Sequence, residues 1–526
     1  MAYRLGIDVG GTNTDAVVMD EADRPVAKAK TPTTPDVTSG ITRVLDQVLA
    51  SGAVQPDSIQ YAMLGTTHCT NAIVERRRLT PVAVMRIGWP ATVAVKPLTG
   101  WPQELVQLCG RHIYLVAGGH EFDGREIAPL DEREVARVCR EIRGRVGSVA
   151  ICSVFSPVNS AHELRAAEIV RQELGEVHVS LSHEIASIGL LERENATVLN
   201  GAVSGVARQV AEAFQRALAE RGIRARTYFG QNDGTLMAVE YAVRYPILTV
   251  ACGPTNSIRG AAFLSGLRDA VIVDVGGTTT DVGVLSRGFP RESSVAVEIG
   301  GVRTNFRMPD LISIGLGGGS IVRLRSGPGG TPTVGPDSVG YLLQEKALVF
   351  GGDVLTATDV AVRLGMIDLG APSRVAPLDR ATAEAVHARM VSIIEDAVDR
   401  VKTSPDPVPV VAVGGGSILI PDRLAGASRV VRPEHYEVAN AIGAAIAQVS
   451  GQVERVFSLD GLSREEALAE AKRMARDEAV KAGADPASVE IVEVDDVPLA
   501  YLPGNATRIR VKAAGRLAQS TSRSTC

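Results

Sequence analysis

Two short phrases of the chain combine acidic, glycine and hydroxyl residues in the same order, 266 residues apart. They read LGIDVGGTNTDAVV over residues 5–18 and VIVDVGGTTTDVGV over residues 271–284. Each predicts two strands joined by a Gly-Gly turn, whose uncovered N–H groups suit anionic oxygens. An Asp at the end of the first strand can hold a hydrated magnesium ion. The pair therefore predicts two hairpins that bind the phosphates of a nucleoside triphosphate from both sides.

The elements around these phrases predict an α/β protein. Short strands and helices alternate along residues 131–182, which indicates a parallel sheet with helices packed on it. Residues 3–30 read as a three-stranded meander, residues 88–130 as irregular chain and residues 189–220 as one long helix. The segment 251–257 reads as a loop before a helix.

Composition restricts the class of protein. A length of 526 residues allows two to four domains, and 45 % apolar with 22 % charged residues is typical of a folded α/β protein. The net charge of −5 favours neither nucleic acid nor an anionic membrane as a partner. No apolar run is long enough to span a membrane, and no signal peptide is visible. Six scattered cysteines argue against a disulfide framework or a zinc site, which predicts a cytoplasmic protein.

A third glycine-rich phrase, Gly414-Gly-Gly-Ser417, follows a predicted strand at residues 408–413 and precedes a predicted helix. Glycines at such a turn let a nucleoside lie against the backbone. In this order, the three phrases resemble the layout of the actin-like ATPases, the superfamily of sugar kinases and heat-shock ATPases. The resemblance implies a duplicated, ribonuclease H-like α/β fold of two lobes with a nucleotide cleft between them.

Four longer phrases resemble the ATP-dependent hydantoinase A/oxoprolinase family. They span residues 8–15, 65–76, 274–281 and 314–320, and the resemblance extends over residues 3–450. It implies ATP-dependent hydrolysis of a cyclic amide of the hydantoin, oxoproline or lactam type. In that chemistry ATP phosphorylates the ring carbonyl oxygen, and water then opens the ring.

The chain departs from the family pattern at three places. Asn13 stands where relatives usually carry Phe, and Cys252-Gly-Pro-Thr-Asn-Ser257 replaces their Ser-Gly-Pro-Ala-Gly-Gly loop. The larger catalytic subunits carry a further C-terminal domain, so the expectation is a short-form protein. These departures weaken any transfer of a substrate from the long forms.

The resemblance assigns nucleotide and metal roles to the glycine-rich phrases. Asp8 and Asp274 are expected to hold Mg²⁺, directly or through water, as catalytic residues. Asp15 and Asp281 either act chemically or cap the turns. The expected cofactors are ATP and Mg²⁺, with another divalent metal as the alternative. The residues expected to bind the nucleotide are Gly10, Gly11, Thr12, Asn13, Thr14, Gly276, Gly277, Thr278, Thr279, Thr280, Gly317, Gly318, Gly319, Gly414, Gly415, Gly416 and Ser417.

Further polar residues lie in loops after predicted strands, where α/β proteins bind their substrates. His68, His120 and Glu121 are the catalytic candidates, because a His-Glu loop can bind a metal or transfer a proton. A structural role is the alternative for each histidine. Cys69 and Cys252 are either nucleophiles or buried small residues. The other candidates are Thr66, Thr67, Asn71, Asp123 and the run Arg76, Arg77 and Arg78.

The predicted domains are an N-terminal lobe over residues 1–185, a second lobe over 186–450 and a small α/β extension over 451–526 with a frayed end. The expected partners are a small cyclic amide and a hydrolytic second subunit, in a homodimer or hetero-oligomer. Two other functions stay open: the ATPase subunit of an acetone or acetophenone carboxylase, and a non-catalytic reactivating ATPase. The cysteine spacing argues against a reductive activator with a metal cluster.

Overall fold

The computed structural model describes residues 2–34, 36–186, 188–293, 297–305, 308–324, 332–499 and 505–518. The predicted frayed end at residues 519–526 lies outside these residues. Strands of the first half are β1 (Tyr3–Val9), β2 (Asn13–Met19), β3 (Pro25–Pro32), β4 (Ile59–Thr66), β5 (Val82–Trp89), β6 (His112–Ala117), β7 (Ser148–Ser153), β8 (His178–Leu181), β9 (Arg226–Gly230) and β10 (Leu236–Ala238).

The second half adds strands that are mostly shorter. They are β11 (Ala270–Val275), β12 (Thr280–Ser286), β13 (Phe289–Pro290), β14 (Val297–Ile299), β15 (Val302–Thr304), β16 (Leu311–Ile314), β17 (Ser320–Arg323), β18 (Thr333–Ser338), β19 (Val408–Val413), β20 (Ala427–Val431), β21 (Val449–Phe457), β22 (Glu490–Pro498) and β23 (Thr507–Gly515).

The helices alternate with these strands. They are α1 (Val37–Leu49), α2 (His68–Val74), α3 (Gln103–Cys109), α4 (Glu132–Ile142), α5 (Ala161–Leu174), α6 (Ser182–Ile185), α7 (Leu190–Ala202), α8 (Ser204–Ala219), α9 (Val239–Arg244), α10 (Cys252–Ser265), α11 (Leu343–Lys346), α12 (Ala357–Arg363), α13 (Arg380–Val401), α14 (Ala439–Ile446) and α15 (Arg464–Lys481). Within the described ranges, no helix combines the length and apolar character that a membrane span requires.

The largest sheet has nine strands in the order β22-β23-β21-β10-β9-β4-β1-β2-β3. Strands β1, β2 and β3 form the predicted antiparallel meander, and β4 runs parallel to β1. The strands of the predicted extension at residues 451–526 belong to this sheet, because β21 pairs with β10 and β23 lies between β21 and β22. The first sheet thus takes strands from all three segments that the sequence separates.

The second sheet repeats the plan of the first. Strands β11 and β12 form an antiparallel hairpin with Asp274 opposite Asp281, as Asp8 lies opposite Asp15 in β1 and β2. A parallel strand flanks each hairpin, β4 in the first sheet and β19 in the second. This repeat confirms the predicted duplicated two-lobe α/β fold.

A third sheet, with the parallel order β6-β5-β7-β8, confirms the alternation predicted for residues 131–182. The prediction of irregular chain over residues 88–130 was wrong, since α3 and β6 lie there. The predicted helix at 189–220 is two helices, because Ala202 O accepts a hydrogen bond from Thr80 N (2.7 Å) where α7 ends.

Two other local predictions were wrong at glycine-rich segments. Residues 252–257 form the start of α10 instead of a loop, because Ala251 takes a left-handed conformation (φ 65°) and Pro254 falls in the first turn, where proline is tolerated. A single 3₁₀ turn, Ser417–Leu419, follows the Gly-Gly-Gly-Ser phrase in place of the predicted helix.

Helices α10 and α14 cross each other between the two large sheets. A β-carbon on Gly260 would lie 1.8 Å from Ala439 O, and one on Gly443 would lie 1.9 Å from Asn256 O. Glycine at both positions therefore lets the two backbones touch. Helix α14 also packs against β1 and β2, and α10 against β11 and β12, so the pair connects the two lobes.

Strand β23 presents two buried cations on one face and apolar residues on the other. Arg510 donates to Glu292 Oε2 (2.6 Å), and Lys512 Nζ lies 2.7 Å from Asp233 Oδ2. Glu292 comes just after strand β13 of the second sheet, so its ion pair with Arg510 ties β23 to the second lobe, whereas Asp233 lies in the β9–β10 turn of the first sheet. On the opposite face, a stripe of buried alanines from α15 covers the sheet; this stripe is Ala467, Ala471, Ala475 and Ala479.

Candidate active site between the two hairpins

The tips of the two hairpins face each other and touch. Thr12 Oγ1 lies 2.9 Å from Thr278 Oγ1, and a β-carbon on Gly277 would lie 2.5 Å from the Thr12 side chain. The same backbone bond closes each turn, from Gly10 N to Asn13 O (3.0 Å) and from Gly276 N to Thr279 O (2.9 Å). The two phrases thus meet across the lobes, as the sequence predicted.

The predicted phosphate-binding residues divide into two groups. The N–H groups of Gly11, Thr12, Gly277 and Thr278 make no hydrogen bond within the described ranges, so these four donors are available to anionic oxygens. Thr14 and Thr280 are fully buried instead, and their hydroxyls bond to Thr33 Oγ1 (3.2 Å) and Leu316 O (2.6 Å). These two threonines support the hairpins from behind, while Asn13 and Thr279 are half-buried.

Asp8 lies in a row of charged residues that crosses three strands. Asp8 faces Asp15, which faces Lys30 on β3, and Lys30 Nζ lies 2.6 Å from Asp15 Oδ1. Asn440 Nδ2 donates to Asp8 Oδ2 (2.9 Å) and to Asp15 Oδ2 (3.2 Å). Burial, and then the charges of Asp15 and Asp274, raise the pKa of Asp8 to about 7.

Asp274 occupies the matching place in the second lobe. Ser257 Oγ donates to its Oδ2 atom at 2.5 Å. Burial raises the pKa of Asp274, and the nearby Lys30 opposes that rise. Its cross-strand neighbour Asp281 has a pKa raised to about 6, first by burial, and its own neighbour on β16 is Ser313.

A divalent cation fits this group of carboxylates. Asp8, Asp15 and Asp274 act on one another electrostatically, and Asp8 Oδ1 is buried without a hydrogen-bond partner within the described ranges. The positive charge of Lys30 acts on Asp15 and Asp274. Oxygen ligands of this kind suit Mg²⁺, which is held by one or two carboxylates.

The remaining glycine phrases brace the second hairpin. Gly318 N and Gly319 N donate to Gly276 O (3.0 Å) and Gly277 O (2.7 Å), so these amides are engaged within the protein. Gly317 N donates to Ser320 Oγ (2.8 Å). These contacts place the predicted nucleoside-binding glycines directly behind the turn.

The Gly414–Ser417 turn lies beside Asp274. A β-carbon on Gly414 would lie 2.2 Å from Asp274 Oδ1, and Gly416 N donates to Val275 O (2.8 Å). The Ser417 hydroxyl is buried without a partner within the described part of the chain. Gly415 lies near Lys30, because its β-carbon would be 3.7 Å from Lys30 Cε. The third phrase therefore joins the same site.

Four polar residues of this site escaped the sequence analysis: Lys30, Asn256, Ser257 and Asn440. Lys30 was predictable from the sequence, because the strand meander places it opposite Asp15 once the strand bounds are known. The two α10 residues were seen only as a departure from a family pattern. Asn440 carried no signal, since it lies on a helix 432 positions after Asp8.

The turn between β4 and α2 reaches the site from one side. Gly65 lies beside Asp8 on the neighbouring strand, and Thr66 Oγ1 bonds to His68 Nδ1 at 2.5 Å. Burial, with the charge of Arg78, lowers the pKa of His68 to about 4, so this histidine is neutral at physiological pH. Thr67 and Asn71 are half-buried on the same turn.

The two cysteines near this turn behave as buried thiols. Burial raises the pKa of Cys252 to about 12 and that of Cys69 to about 11. A nucleophilic cysteine needs a lowered pKa, so the structure favours the alternative of buried small residues. Of the neighbouring arginines, Arg76 forms an ion pair with Glu104, and Arg77 and Arg78 are exposed.

His120 lies in the loop that follows β6, at the carboxyl edge of the third sheet, whereas Asp8 lies in the first sheet. Its ring stacks on His162 (centroids 4.3 Å apart), whose Nε2 lies 3.0 Å from Glu126 Oε1. Gly119 N donates to His162 Nδ1 (2.9 Å), so neutral His162 carries its proton on Nε2 and donates to Glu126. This tautomer favours a hydrogen-bonded pair over a metal ligand.

The predicted partners of His120 lie elsewhere in the loop. The backbone of Glu121 closes a turn with Arg125 (2.7 Å), and the Asp123 carboxylate pairs with the same arginine. The sequence did not predict a role for Glu163 and His183, which also lie at this edge. The buried Glu163 carboxylate accepts a hydrogen bond from His183 Nδ1 at 2.6 Å. His120 thus contacts His162, whereas the backbone of Glu121 contacts Arg125.

Comparison with known proteins places this geometry in a family. The profile of the hydantoinase/oxoprolinase N-terminal region matches residues 4–174, and the hydantoinase/oxoprolinase profile matches residues 193–386. The caprolactamase subunit alpha of Pseudomonas jessenii is 28 % identical over 70 % of this chain and 55 % of its own length. The acetophenone carboxylase gamma subunit of Aromatoleum aromaticum is 28 % identical over 72 % of this chain and 56 % of its own.

The chain thus spans little more than half the length of these two relatives. Among solved structures, the ATP-dependent caprolactamase from Pseudomonas jessenii superposes with a TM-score of 0.78 at 21 % identity, covering 98 % of this chain and 88 % of that one. At this identity the superposition shows a shared fold. Together the two profile matches cover most of the described lobes, and the chain belongs to the hydantoinase/oxoprolinase family.

Proposed function

We propose that the chain is the ATP-using component of an enzyme that hydrolyses a small cyclic amide. The observation that carries the proposal is the contact between the two Gly-Gly-Thr turns, which brings four unbonded backbone N–H groups and two aspartates to one place. Donors of this kind stabilise transferring phosphoryl groups. The family relatives include a caprolactamase subunit, which acts on a lactam by its name.

The ring carbonyl oxygen takes the γ-phosphoryl group of ATP while ADP leaves. Water then adds to the activated carbon, the ring C–N bond breaks with a proton passed to the nitrogen, and inorganic phosphate leaves. The N–H groups of Gly11, Thr12, Gly277 and Thr278 bind phosphate oxygens from both lobes. Asp8 and Asp274 hold Mg²⁺, and the Gly414–Ser417 turn positions the nucleoside. The Thr66–His68 turn lies beside Asp8 and offers the cyclic amide neutral hydrogen-bonding groups.

The carboxylase subunit is the second candidate. It is favoured by the acetophenone carboxylase gamma subunit, which is as similar in sequence as the caprolactamase subunit. Both candidates use the same hairpins, so only the second substrate separates them. A partner subunit completes the active enzyme in either case, in a hetero-oligomer.

Phosphate release by the purified chain with Mg-ATP tests the proposal. The panel comprises hydantoin, N-methylhydantoin, 5-oxoproline, caprolactam, and acetone or acetophenone with bicarbonate. Stimulation by one cyclic amide supports the amidohydrolase, and stimulation by a ketone with bicarbonate supports the carboxylase instead. Binding of ATP is measured in parallel by calorimetry, so that the nucleotide site is tested without a partner subunit.

Asp8→Asn is the informative variant, and Asp460→Asn, an exposed acid far along the chain, is its matched control. We expect Asp8→Asn to lose phosphate release and to weaken Mg-ATP binding by at least about tenfold, because second-sphere and ligand carboxylates set metal affinity. Asp460→Asn should match the wild type. Absence of ATP binding by the wild-type chain would refute the proposed function.

A further inference from the structure

Two donors reach the metal-facing aspartates from the helices that connect the lobes. Ser257 on α10 donates to Asp274 Oδ2 at 2.5 Å, and Asn440 on α14 donates to Asp8 Oδ2 at 2.9 Å. Each aspartate therefore has one carboxylate oxygen fixed by a side chain outside its own sheet. Since α10 and α14 touch through Gly260 and Gly443, the two donors belong to one packed unit.

Asn256, the residue before Ser257, faces the other aspartate. A β-carbon on Gly65 would lie 2.3 Å from Asp8 Oδ1 and 2.4 Å from Asn256 Nδ2. Both atoms therefore lie next to the same glycine, close to each other. Burial raises the pKa of Asp8, and the fully buried Asn256 amide opposes that rise. Two consecutive residues of α10 thus reach Asp8 in one lobe and Asp274 in the other.

The first turns of α10 carry Asn256 and Ser257 next to these carboxylates. Their side chains are an amide and a hydroxyl donor, the groups that orient a carboxylate ligand without adding charge. Their position and chemistry point to the cation rather than to the nucleoside.

We propose that Ser257 and Asn440 are positioning residues for the divalent cation, which they serve by holding the carboxylates of Asp274 and Asp8 in place across the two lobes. The inference rests on the proposed nucleotide site and adds residues that the glycine-rich phrases do not contain. Loss of an orienting partner of a metal ligand costs roughly 10- to 100-fold in metal affinity. The expected effect is therefore on the cation and not on the nucleotide itself.

Mn²⁺ serves as the probe, titrated into the chain saturated with ADP while electron paramagnetic resonance records the free ion. We expect Ser257→Ala and Asn440→Ala each to weaken Mn²⁺ binding about tenfold, while ADP affinity in EDTA stays within about twofold of wild type. Ser257→Thr keeps the hydroxyl and should restore wild-type Mn²⁺ affinity. Thr255→Val is the matched control, because within the described residues its hydroxyl bonds to Ala251 O and Cys252 O at the start of α10 and not to either aspartate.

The outcomes separate this inference from the proposed function. If both alanine variants keep wild-type Mn²⁺ affinity while they fold and bind ADP, the positioning role is refuted and the nucleotide site stands. Equal weakening by Thr255→Val would refute it too, because any change in α10 would then suffice. If the wild-type chain binds no ADP, both proposals fail together. Thermal unfolding of each variant verifies that the titrated protein is folded.

Discussion

The row of facing residues across the first hairpin ends in Lys30, whereas the same row across the second hairpin ends in Ser313. In all other respects the two rows agree: two aspartates face each other on adjacent strands, next to a parallel strand. Duplication has therefore kept the backbone register, which the turn and the neighbouring strand determine. The charge of the last residue in each row has diverged: the first lobe carries a lysine, and the second carries a neutral serine.

The lobes also differ in how tightly each turn is packed. A β-carbon on Gly277 would strike Thr12, whereas one on Gly11, its counterpart in the first hairpin, would meet no atom within 4 Å. The first turn is thus open where the second is covered. This asymmetry teaches that equivalent glycines of a duplicated site can carry different constraints, and three comparisons test it.

The largest expected effect comes from Gly277→Ala. The added methyl group forces Thr12 and its hairpin away, and overpacking of this kind costs about 3 kcal/mol. Gly11→Ala, the matched variant in the other hairpin, should leave stability unchanged in the absence of nucleotide. Urea unfolding measures both. Equal losses in the two variants would show that the hairpins do not touch in solution.

A smaller effect is expected from Lys30→Met. The substitution leaves Asp15 without its charged partner, and a hydrogen bond to a charged group contributes about 2 kcal/mol. Lys28→Met is the control, since Lys28 lies on the same strand and pairs with Glu437 near the surface, where ion pairs contribute about 0–1 kcal/mol. Urea unfolding of both, with Ser313→Ala from the second lobe, measures the difference. A loss in Ser313→Ala as large as in Lys30→Met would contradict the charge asymmetry.

The smallest expected effect concerns the single bond between the hairpin tips. Thr12→Val and Thr278→Val each remove one hydroxyl, and the coupling between them should be about 1 kcal/mol in a double-mutant cycle. Either single substitution should cost nearly as much as both together. Strictly additive losses would mean that the two hydroxyls do not bond to each other.

The local parts of this site follow from the sequence. The alternation of residues along a strand predicts more about their orientation than the glycine-rich motif does. Residues 13 and 15 share one face of β2 and residue 14 the other, so alternation alone places Thr14 away from Asp15 and into the core. Treating every residue of the Gly-Gly-Thr phrase as a phosphate ligand missed that. The hairpins themselves were predictable because the turn and both strands are contiguous.

The parts that were missed depend on weak local signals or on distant chain. Helix α3 has seven residues and no capping side chain, and β6 is an edge strand with Ile113 exposed, so neither shows a strong period. Asn440 reaches Asp8 only because α14 crosses α10. A local stretch of sequence cannot predict that contact, because it forms only when the two lobes pack together.

The place of β23 between β21 and β22 has a consequence for synthesis on the ribosome. The side of the nine-stranded sheet beyond β10 can form only after residue 515 has been translated. The first strand of the same sheet, β1, begins at residue 3. Until then Asp233 and Glu292 cannot form their ion pairs with Lys512 and Arg510. Pairing over such long separations is slow and leaves apolar edges exposed, so we expect this side of the sheet to be the last part to fold.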